Sequence, residues 1–274
     1  MRVCWIGLGH MGLPTAKQVA SAGHDVRGYD VRPLSAESTV GLTMCQTPRD
    51  AAEGCDLLCV SVFSDEQVEG LLIGDDGLFA VLRPGAVVAI FTTGTIESAQ
   101  ELAASAPNGV AVLDTCFSRA ESNASSLLNL LVGGEREALD RCRGVFDIFC
   151  KEIFYLGPSG AGRALKLVNN LLHVANNQII RDALNFAEKL GFDRYEAAKI
   201  IDKCTGASRA TSTYTKPYDE IVKYMRPTAV KDATAAVAAA RRVGADLGPL
   251  GVLVSGYVEE HVPQGRPSSA APGT

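Results

Sequence analysis

The chain has 274 residues, of which 47% are hydrophobic and 21% charged, and its formal net charge at pH 7 is -5. At about 150 residues per domain, this length predicts two domains, and the composition is that of a globular protein with enough apolar material for a buried core. The acidic balance argues against nucleic acid as a partner, because binding to phosphates needs clustered Lys and Arg.

The start of the chain has the pattern of a strand and not of a secretory leader, and no apolar run is long enough for a membrane span. The eight cysteines are scattered singly, without C-x-x-C pairs, and most stand inside apolar runs. A zinc site is the alternative to core thiols, but the four histidines are not at ligand spacing near the cysteines. We therefore expect a cytoplasmic protein with reduced thiols, no metal site and no membrane partner.

Strand-like apolar runs alternate with helix-like stretches through the first 156 residues. In chain order the runs are Val3 to Ile6, Val26 to Tyr29, Leu57 to Val62, Ala86 to Phe91, Val110 to Leu113 and Leu128 to Val132. Strands interleaved with helices imply right-handed crossovers and a mainly parallel sheet with both faces covered. The class predicted for residues 1–156 is therefore α/β, with a doubly wound sheet.

The pattern changes after Leu156, where residues 157–162 form a glycine-rich break. Arg163 to Leu190 then has no Gly or Pro, which at ~1.5 Å per residue predicts a helix about 40 Å long that bridges two domains. Only helical periodicities follow, at Tyr195 to Cys204, Ala229 to Val243 and Leu250 to His261. We expect an all-α domain over 157–262, with the interdomain helix at about 163–190, and a flexible tail over 263–274.

A G-x-G-x-x-G motif, formed by Gly7, Gly9 and Gly12, directly follows the first strand and opens a helix. Such glycines let the backbone approach a pyrophosphate at the helix N-terminus, as in Rossmann domains. Asp30 ends the next strand about 18 residues later, where an acid binds the adenosine ribose. Because a carboxylate repels a 2′-phosphate, NAD is predicted over NADP, although Arg32 could meet that phosphate and leaves NADP possible.

Four motifs resemble those of the β-hydroxyacid dehydrogenases, a family that includes 3-hydroxyisobutyrate, tartronate semialdehyde and glyoxylate/succinic semialdehyde enzymes. The opening I-G-L-G-x-M-G-x-P matches Ile6 to Pro14, and the L-D-A-P-V-S segment is similar to Leu113 to Ser118. The pattern G-A-G-x-x-x-K-x-x-N-N matches Gly160 to Asn170, and the late K-D pair matches Lys231 and Asp232. The matches are in order and cover nearly the whole chain.

The resemblance implies a Rossmann domain followed by a helical domain like that of 6-phosphogluconate dehydrogenase, with the substrate between them. It implies that Lys166 is the general acid/base, that Asn170 positions the substrate and that Ser118 holds the substrate carboxylate. Lys231 would lie near both nicotinamide and substrate. The predicted cofactor-binding residues are Gly7, Gly9, His10, Met11, Gly12, Asp30, Val62, Thr93 and Lys231. The family commonly forms dimers or tetramers, so a homo-oligomer is expected.

The residue types support the resemblance independently. Lys166 and Asn170 stand at i and i+4, so on one helix both reach the same region. Hydride removal from an alcohol carbon requires the hydroxyl proton to leave, and a lysine accepts that proton if burial and nearby positive charge lower its pKa toward neutrality. His173 and Asn177 extend the stripe, and for these two we favour a polar seam that hydrogen-bonds neighbouring backbone.

The chain departs from the family pattern where Arg119 and Ala120 replace two glycines and where Ile90 replaces an aspartate. A guanidinium beside Ser118 could clamp an anionic substrate, and Arg119 is therefore a candidate substrate-binding residue. The alternatives are an ion pair with Glu121 or contact with the cofactor phosphates.

The predicted activity is hydride transfer between a nicotinamide cofactor and a small 3-hydroxy acid or the matching semialdehyde or oxo acid. Two alternatives remain: an imine reductase-like enzyme of the same fold, and a noncatalytic NAD(P)-binding sensor. Imine reductases usually carry another residue at the position of Lys166, and a sensor needs neither Lys166 nor Asn170. The expected partner is a small anionic hydroxy acid or semialdehyde.

Overall fold

The computed structural model describes residues 1–74, 76–118, 128–215 and 219–261, with backbone alone over 219–225. The chain divides into two compact units, the first from Met1 to Lys166 and the second from Leu167 onward. Within the described ranges, all strands belong to the first unit and the second unit contains helices. The predicted combination of an α/β part and an all-α part is confirmed, while the domain boundary after residue 156 stays a prediction.

The first unit contains one eight-stranded sheet. Its strands are β1 (Arg2–Ile6), β2 (Asp25–Tyr29), β3 (Thr43–Met44), β4 (Leu57–Val60), β5 (Val87–Ile90), β6 (Ala111–Ser118), β7 (Leu128–Gly133) and β8 (Cys150–Tyr155). They lie in the order β3-β2-β1-β4-β5-β6-β7-β8, parallel throughout except between β6 and β7. The order reverses between β1 and β4, and the carboxyl ends of strands at such a point border the crevice where open α/β sheets bind ligands.

Alternate residues of the central strands β1, β4 and β5 enter two different cores, one on each face of the sheet. In β1, Val3 and Trp5 pack into the core on one face, whereas Cys4 and Ile6 pack into the core on the other. The Trp5 ring lies edge-on to Phe149, with ring centroids 6.0 Å apart. Because both faces of β1 are buried, helices must cover both sides, which is the arrangement of a doubly wound sheet.

Helices cover the sheet, and several of them begin at a residue whose side chain caps the helix. They are α1 (Gly12–Ser21), α2 (Pro48–Ala52), α3 (Asp65–Leu72), α4 (Ile96–Ala104), α5 (Arg136–Phe146) and the first turns of α6 (Ala161–Lys189). Thr47, Ser64 and Thr95 each accept a backbone N–H of the helix that follows them. Such bonds satisfy N–H groups that have no partner within the helix, so short polar residues fix the starts of α2, α3 and α4.

The second unit consists of the rest of α6 and of α7 (Arg194–Ile201), α8 (Arg209–Thr213), α9 (Asp219–Arg242) and α10 (Gly248–His261). Its small core packs Ile180 and Leu184 of α6 against three alanines, Ala197, Ala198 and Ala210. The predicted long helix is confirmed, with bounds Ala161–Lys189. The predicted tail over 263–274 lies outside the described residues.

The sheet differs from the sequence-based expectation in three strands. β3 has only two residues, and β8 exposes Lys151 and Glu152 in place of a continuous apolar run, so neither strand was predicted. β6 continues to Ser118, beyond the predicted end at Leu113. The apolar run ends at Leu113 because the next residue is the charged Asp114, which the structure includes in the strand. Asp114 is only 1% exposed, and its carboxylate accepts two backbone N–H groups, which makes its burial possible.

Candidate functional site

The glycine loop between β1 and α1 packs closely against neighbouring backbone. Gly7 has φ +88, and a Cβ there would overlap the carbonyl oxygen of Ser61 in the loop after β4. A Cβ at Gly12 would overlap the carbonyl oxygen of Gly7. Met11, at the N-cap of α1, makes no side-chain capping hydrogen bond, unlike the caps of α2, α3 and α4. The first N–H groups of α1 are therefore arranged for an anion such as a pyrophosphate.

Asp30, directly after β2, has a side chain that is only 6% exposed. Oδ2 accepts from the backbone N–H of Leu8 at 2.8 Å and from Arg32 Nη2 at 3.0 Å. Oδ1 accepts from the backbone N–H and from Nε of Arg32, both at 2.9 Å. Burial alone would raise the pKa of the Asp30 carboxyl, but these hydrogen bonds hold it below its ordinary value. Asp30 thus links the glycine loop to Arg32, and a ribose hydroxyl would compete with Arg32 for this carboxylate.

The loops after β4 and β5 are connected by a hydrogen bond, since Thr92 Oγ1 donates to the carbonyl oxygen of Val62 at 2.8 Å. Val62 and Thr93, both predicted to contact the cofactor, are half-buried in these loops. Val62 also lies within van der Waals reach of a Cβ built at Gly7. The topology therefore brings three predicted cofactor segments, around Gly7, Val62 and Thr93, to the carboxyl ends of the neighbouring strands β1, β4 and β5.

A buried charged cluster lies beside these loops in the first unit. Arg163, in the first turn of α6, is 0% exposed; its Nη1 donates to the carbonyl oxygen of Thr95 at 2.8 Å and is 2.9 Å from Asp65 Oδ1. The contact with Asp65 is an ion pair by distance, whereas hydrogen-bond geometry is met only at Thr95. Asp65 Oδ2 in turn accepts from the backbone N–H of Thr95 at 2.8 Å.

Asp114 of β6 anchors the start of α6. Its two carboxylate oxygens accept from the backbone N–H groups of Gly160 and Arg163, both at 2.8 Å. Burial raises the pKa of Asp114, while the two backbone hydrogen bonds and the Arg163 charge oppose that rise. Gly162 permits the contact, because a Cβ there would lie 2.8 Å from the Asp114 carboxylate. The position of the first turn of α6 is therefore fixed by a strand of the sheet.

Lys166 is half-buried on α6, three residues after Arg163, and is the last residue of the first unit. Asn170 follows four residues later on the same helix and belongs to the second unit. The helix therefore carries both side chains on one face, one turn apart, as the i and i+4 spacing predicted.

In the second unit, Asp232 connects two of the predicted site residues. Asn170 Nδ2 donates to Asp232 Oδ2 at 2.6 Å, and Lys231 Nζ is 3.0 Å from Asp232 Oδ1. Asn170 and Asp232 are 9% and 4% exposed, whereas the Lys231 side chain is 25% exposed. The Asn170 amide is thus hydrogen-bonded to one oxygen of a buried carboxylate, a bond that joins α6 to α9, and the Lys231 ammonium group lies at ion-pair distance from the other oxygen.

The remaining predicted residues are less informative. Ser118 is half-buried at the end of β6, opposite Asn129 of β7, and His10 is exposed. Arg119, Ala120 and Glu121 lie outside the described residues, so the substrate clamp predicted for Arg119 and its two alternatives stay predictions. Asn177 Nδ2 donates to the carbonyl oxygen of His173 at 2.7 Å, in line with a polar seam at these two positions.

Sequence reasoning missed Asp65, Arg163 and the connecting role of Asp232. Arg163 occupied an unspecified position of a motif, and Asp65 was one of many acids at a helix start, so pattern alone did not distinguish them. The signal for Asp232 was present, because it follows Lys231 in a recognised pair.

The described part of the chain contains neither a cluster of metal ligands nor a membrane-spanning helix. There, no three His, Cys, Asp or Glu side chains group as metal ligands would. All eight cysteines are free thiols. In the same residues, no helix combines the length and the apolar character that crossing a bilayer requires.

Comparison with known families places these observations in context. Residues 2–157 match the family described as the NAD binding domain of 6-phosphogluconate dehydrogenase. Residues 160–270 match the family described as NAD-binding of NADP-dependent 3-hydroxyisobutyrate dehydrogenase. The two matches together account for most of the chain. The chain belongs to the β-hydroxyacid dehydrogenase family. It is an oxidoreductase of the hydroxyacid dehydrogenase type with an NAD(P)-binding N-terminal unit.

Individual members of the family show how widely the similarity extends. An NAD-dependent L-serine dehydrogenase of Pseudomonas aeruginosa is 32% identical over 78% of this chain and 73% of its own length. A 2-hydroxy-3-oxopropionate reductase of Escherichia coli is 30% identical over 70% of this chain and 67% of its own. The solved structure of Mycobacterium tuberculosis 3-hydroxyisobutyrate dehydrogenase with L-serine has TM-score 0.79 and 28% identity, covering 94% of this chain and 92% of that one.

Proposed function

We propose that this chain interconverts a small 3-hydroxy acid and the matching semialdehyde or oxo acid, with Lys166 as general acid/base and NAD as the preferred cofactor. The observation that carries the proposal is the polar arrangement on α6. Lys166 precedes by one turn an asparagine, Asn170, whose amide is held on Asp232, and the same carboxylate holds Lys231. A noncatalytic sensor would not require a lysine one turn before a buried asparagine that is hydrogen-bonded to a buried aspartate.

The residues of the first unit fit a dinucleotide. A Cβ at Gly7 or Gly12 would overlap a backbone carbonyl oxygen, so the tight turn before α1 requires glycine there, and the N-terminus of α1 has N–H donors for a pyrophosphate. Gly9, His10 and Met11 complete this loop, Asp30 and Arg32 stand where the adenosine ribose would bind, and Val62 and Thr93 would border the nicotinamide. The nicotinamide, when bound, exchanges a hydride with the carbon that bears the hydroxyl group.

Lys166 supplies the proton transfer that accompanies the hydride. In the oxidation direction, the neutral Nζ takes the proton from the substrate hydroxyl as the alcohol carbon loses its hydride. In the reduction direction, the ammonium form returns the proton to the carbonyl oxygen. A positioned acid/base of this kind contributes roughly 10²–10⁴ to the rate.

Asn170, Lys231 and Ser118 orient the substrate in this proposal. Asn170 Nδ2 donates to Asp232, and Asn170 Oδ1 accepts from Asn169 Nδ2 at 3.2 Å. An amide oxygen has two lone pairs, so Asn170 Oδ1 can accept one further hydrogen bond from a substrate hydroxyl. Lys231 and Ser118 provide a cation and a hydroxyl donor for a carboxylate. Arg119 is proposed as a further anion-binding residue, which would favour a strongly acidic or doubly acidic substrate.

The decisive test is Lys166→Ala, assayed with 3-hydroxyisobutyrate, L-serine and small semialdehydes. We expect kcat to fall by roughly 10²–10⁴, with the dissociation constant for NADH changed little, because the cofactor is bound elsewhere. Lys189→Ala is the matched control, since Lys189 is an exposed lysine on the same helix. Activity within a few-fold of the unchanged enzyme in Lys166→Ala would mean that another group transfers the proton.

The cofactor preference is tested separately. Because Asp30 would repel a 2′-phosphate, we expect kcat/KM to be higher with NAD than with NADP. Arg32→Ala should widen that preference, as it removes a guanidinium able to meet the phosphate. An equal or reversed preference in the unchanged enzyme would mean that Arg32 determines the specificity of this pocket.

A further inference from the structure

Arg163 is an unusual residue to find in the interior of the first unit. Its guanidinium is fully buried, and Nε and Nη2 have no hydrogen-bond partner among the described residues. Removing a charged group from water costs several kcal/mol unless it is well paired, and replacing a buried ion pair by apolar residues is often neutral or stabilising. Stability alone is therefore a poor explanation for Arg163.

The partners of Arg163 indicate what the charge holds in place. Arg163 Nη1 binds the carbonyl oxygen of Thr95, and Asp65 Oδ2 binds the N–H of the same residue, at 2.8 Å each. Arg163 and Asp65 thus bind both polar groups of the Thr95 backbone. Gly94 makes room for this carboxylate, because a Cβ there would overlap Asp65. Thr95, the residue fixed in this way, stands two residues after Thr93 in the same loop.

The other end of Arg163 is fixed as well. Its backbone N–H donates to Asp114 Oδ2 at 2.8 Å, so the first turn of α6 is held on β6. Lys166 follows in less than one helical turn, and the position of its Cα depends on that first turn. One residue therefore links the loop that carries Thr93 to the turn that carries Lys166, both within the first unit.

We propose that Arg163 and Asp65 are positioning residues that hold the loop of Thr93 and the helical turn of Lys166 in register, and thereby align hydride transfer with proton transfer. The inference rests on the proposed function, which assigns the proton to Lys166 and the cofactor to Thr93. Neither residue touches the reacting atoms. Their effect is to restrict movement between two groups that do, and a displacement of about 1 Å at such groups can cost about 10²-fold in rate.

The test uses Arg163→Met, Asp65→Asn and the double variant in the full-length protein. Met fills the volume without charge, and Asn keeps an oxygen for the Thr95 N–H. We expect each single change to lower kcat about 10- to 100-fold, with KM and the dissociation constant for NADH within about threefold. The double variant should lose no more than the worse single variant, because both remove the same link. Arg163→Lys should restore part of kcat by keeping a cation for Asp65.

Arg143→Met is the matched control, since Arg143 forms an exposed pair with Asp147 on α5. The positioning role is overturned if the folded double variant keeps kcat within about threefold of the unchanged enzyme. It is also overturned if the kcat loss of the double variant equals the product of the two single losses, or if the variants raise KM and leave kcat unchanged. If Arg163→Met does not fold, Asp65→Asn and Arg163→Lys take its place: the positioning role is overturned if both keep kcat within about threefold of the unchanged enzyme. Lys166→Ala separates the two ideas: activity that survives it overturns the proposed function, whereas activity lost in Lys166→Ala but kept in the Arg163 variants overturns only the positioning pair.

Discussion

Most of the large apolar side chains of the first unit lie inside, with exceptions such as Val40 and Phe63, whereas many of those of the second unit lie in solvent. Trp5, Phe146 and Phe149 of the first unit are at most 1% exposed. On α6 of the second unit, Ile179 is 53% exposed and Phe186 is 65% exposed. The exposed residues Val168, Leu172, Ile179, Phe186 and Leu190 recur at intervals of four or seven along α6, which places them on one stripe.

The difference suggests how each unit obtains its stability. The first unit fills both faces of its sheet from its own sequence, so its core is complete. An exposed apolar stripe of this length usually marks an interaction surface. The homo-oligomer expected from the sequence would cover this stripe, and the second unit would then depend on association where the first does not.

The sharpest test of this contrast is to truncate one phenylalanine in each unit. Phe146→Ala should lower the free energy of unfolding by about 3–5 kcal/mol, because Phe146 is fully buried and packs edge-on against Phe91 and Phe149. Phe186→Ala should cost less than about 0.5 kcal/mol at concentrations where the chain is monomeric. Urea unfolding followed by the fluorescence of Trp5, the single tryptophan, reports on the first unit. Equal costs for the two variants would contradict the contrast.

The thiols offer a second test, because burial raises the pKa of Cys142 and of Cys150 to about 12 in the first unit. At pH 8 such a thiol is ionised to only about 10⁻⁴, and thiolate is the form that reacts. Cys204 in the second unit is exposed. Iodoacetamide should therefore modify Cys204 at least about 10²-fold faster than Cys142 or Cys150, as measured by peptide mass spectrometry. Cys204→Ser should remove that rapid modification, and rapid labelling of Cys150 would mean that the sheet opens readily.

Each unit also buries a carboxylate, and the two should respond differently to neutralisation. Asp114→Asn places an amide nitrogen against the N–H of Gly160 or Arg163 and should cost about 1.5–3 kcal/mol of unfolding free energy. Asp232→Asn should cost less than about 1 kcal/mol, because the Asn170 amide can rotate to exchange donor and acceptor. Trp5 fluorescence and far-UV circular dichroism would follow the two changes. A larger cost at Asp232 would show that the small helical core depends on that carboxylate.

The smallest expected effect concerns association. Ile179→Ala and Phe186→Ala should each raise the dissociation constant of the oligomer about 5- to 100-fold, the usual range for an important interface residue, while Val40→Ala should not. Val40 is the matched control because it is 68% exposed in the first unit. Sedimentation velocity over a range of concentrations measures the constants. A chain that stays monomeric at every concentration would remove the contrast between the units.

The sequence predicted the fold well where the patterns are local and periodic. The runs at Val3 to Ile6 and at Leu57 onward, the glycine loop and the long helix all match the structure closely. The long helix was the simplest case, since 28 residues without Gly or Pro end at Gly191. The strand β8 was not predicted, because Lys151 and Glu152 interrupt its apolar pattern. A strand accommodates such charged residues where it is exposed to solvent, as β8 is.

The site could be predicted only in part, because its geometry depends on distant pairs. Lys166 and Asn170 were accessible from their spacing on one helix. The pairing of Arg163 with Asp65 joins residues almost one hundred positions apart, and nothing in either local sequence indicates the partner. The four donors on the Asp30 carboxylate were equally inaccessible, since the side chain of Arg32 had to be located before its competition with ribose could be recognised.

Open sheets have two unpaired margins where another chain can add as a further strand, and within the described residues these margins are β3 and β8. β3 offers only two residues, too few for stable pairing. β8 is six residues long, yet it presents Lys151 and Glu152 to solvent, and the Arg136 guanidinium lies 5.0 Å from the centre of the Tyr155 ring near its end. Charges along one margin and brevity along the other disfavour the addition of a further strand, the step through which an open sheet would polymerise.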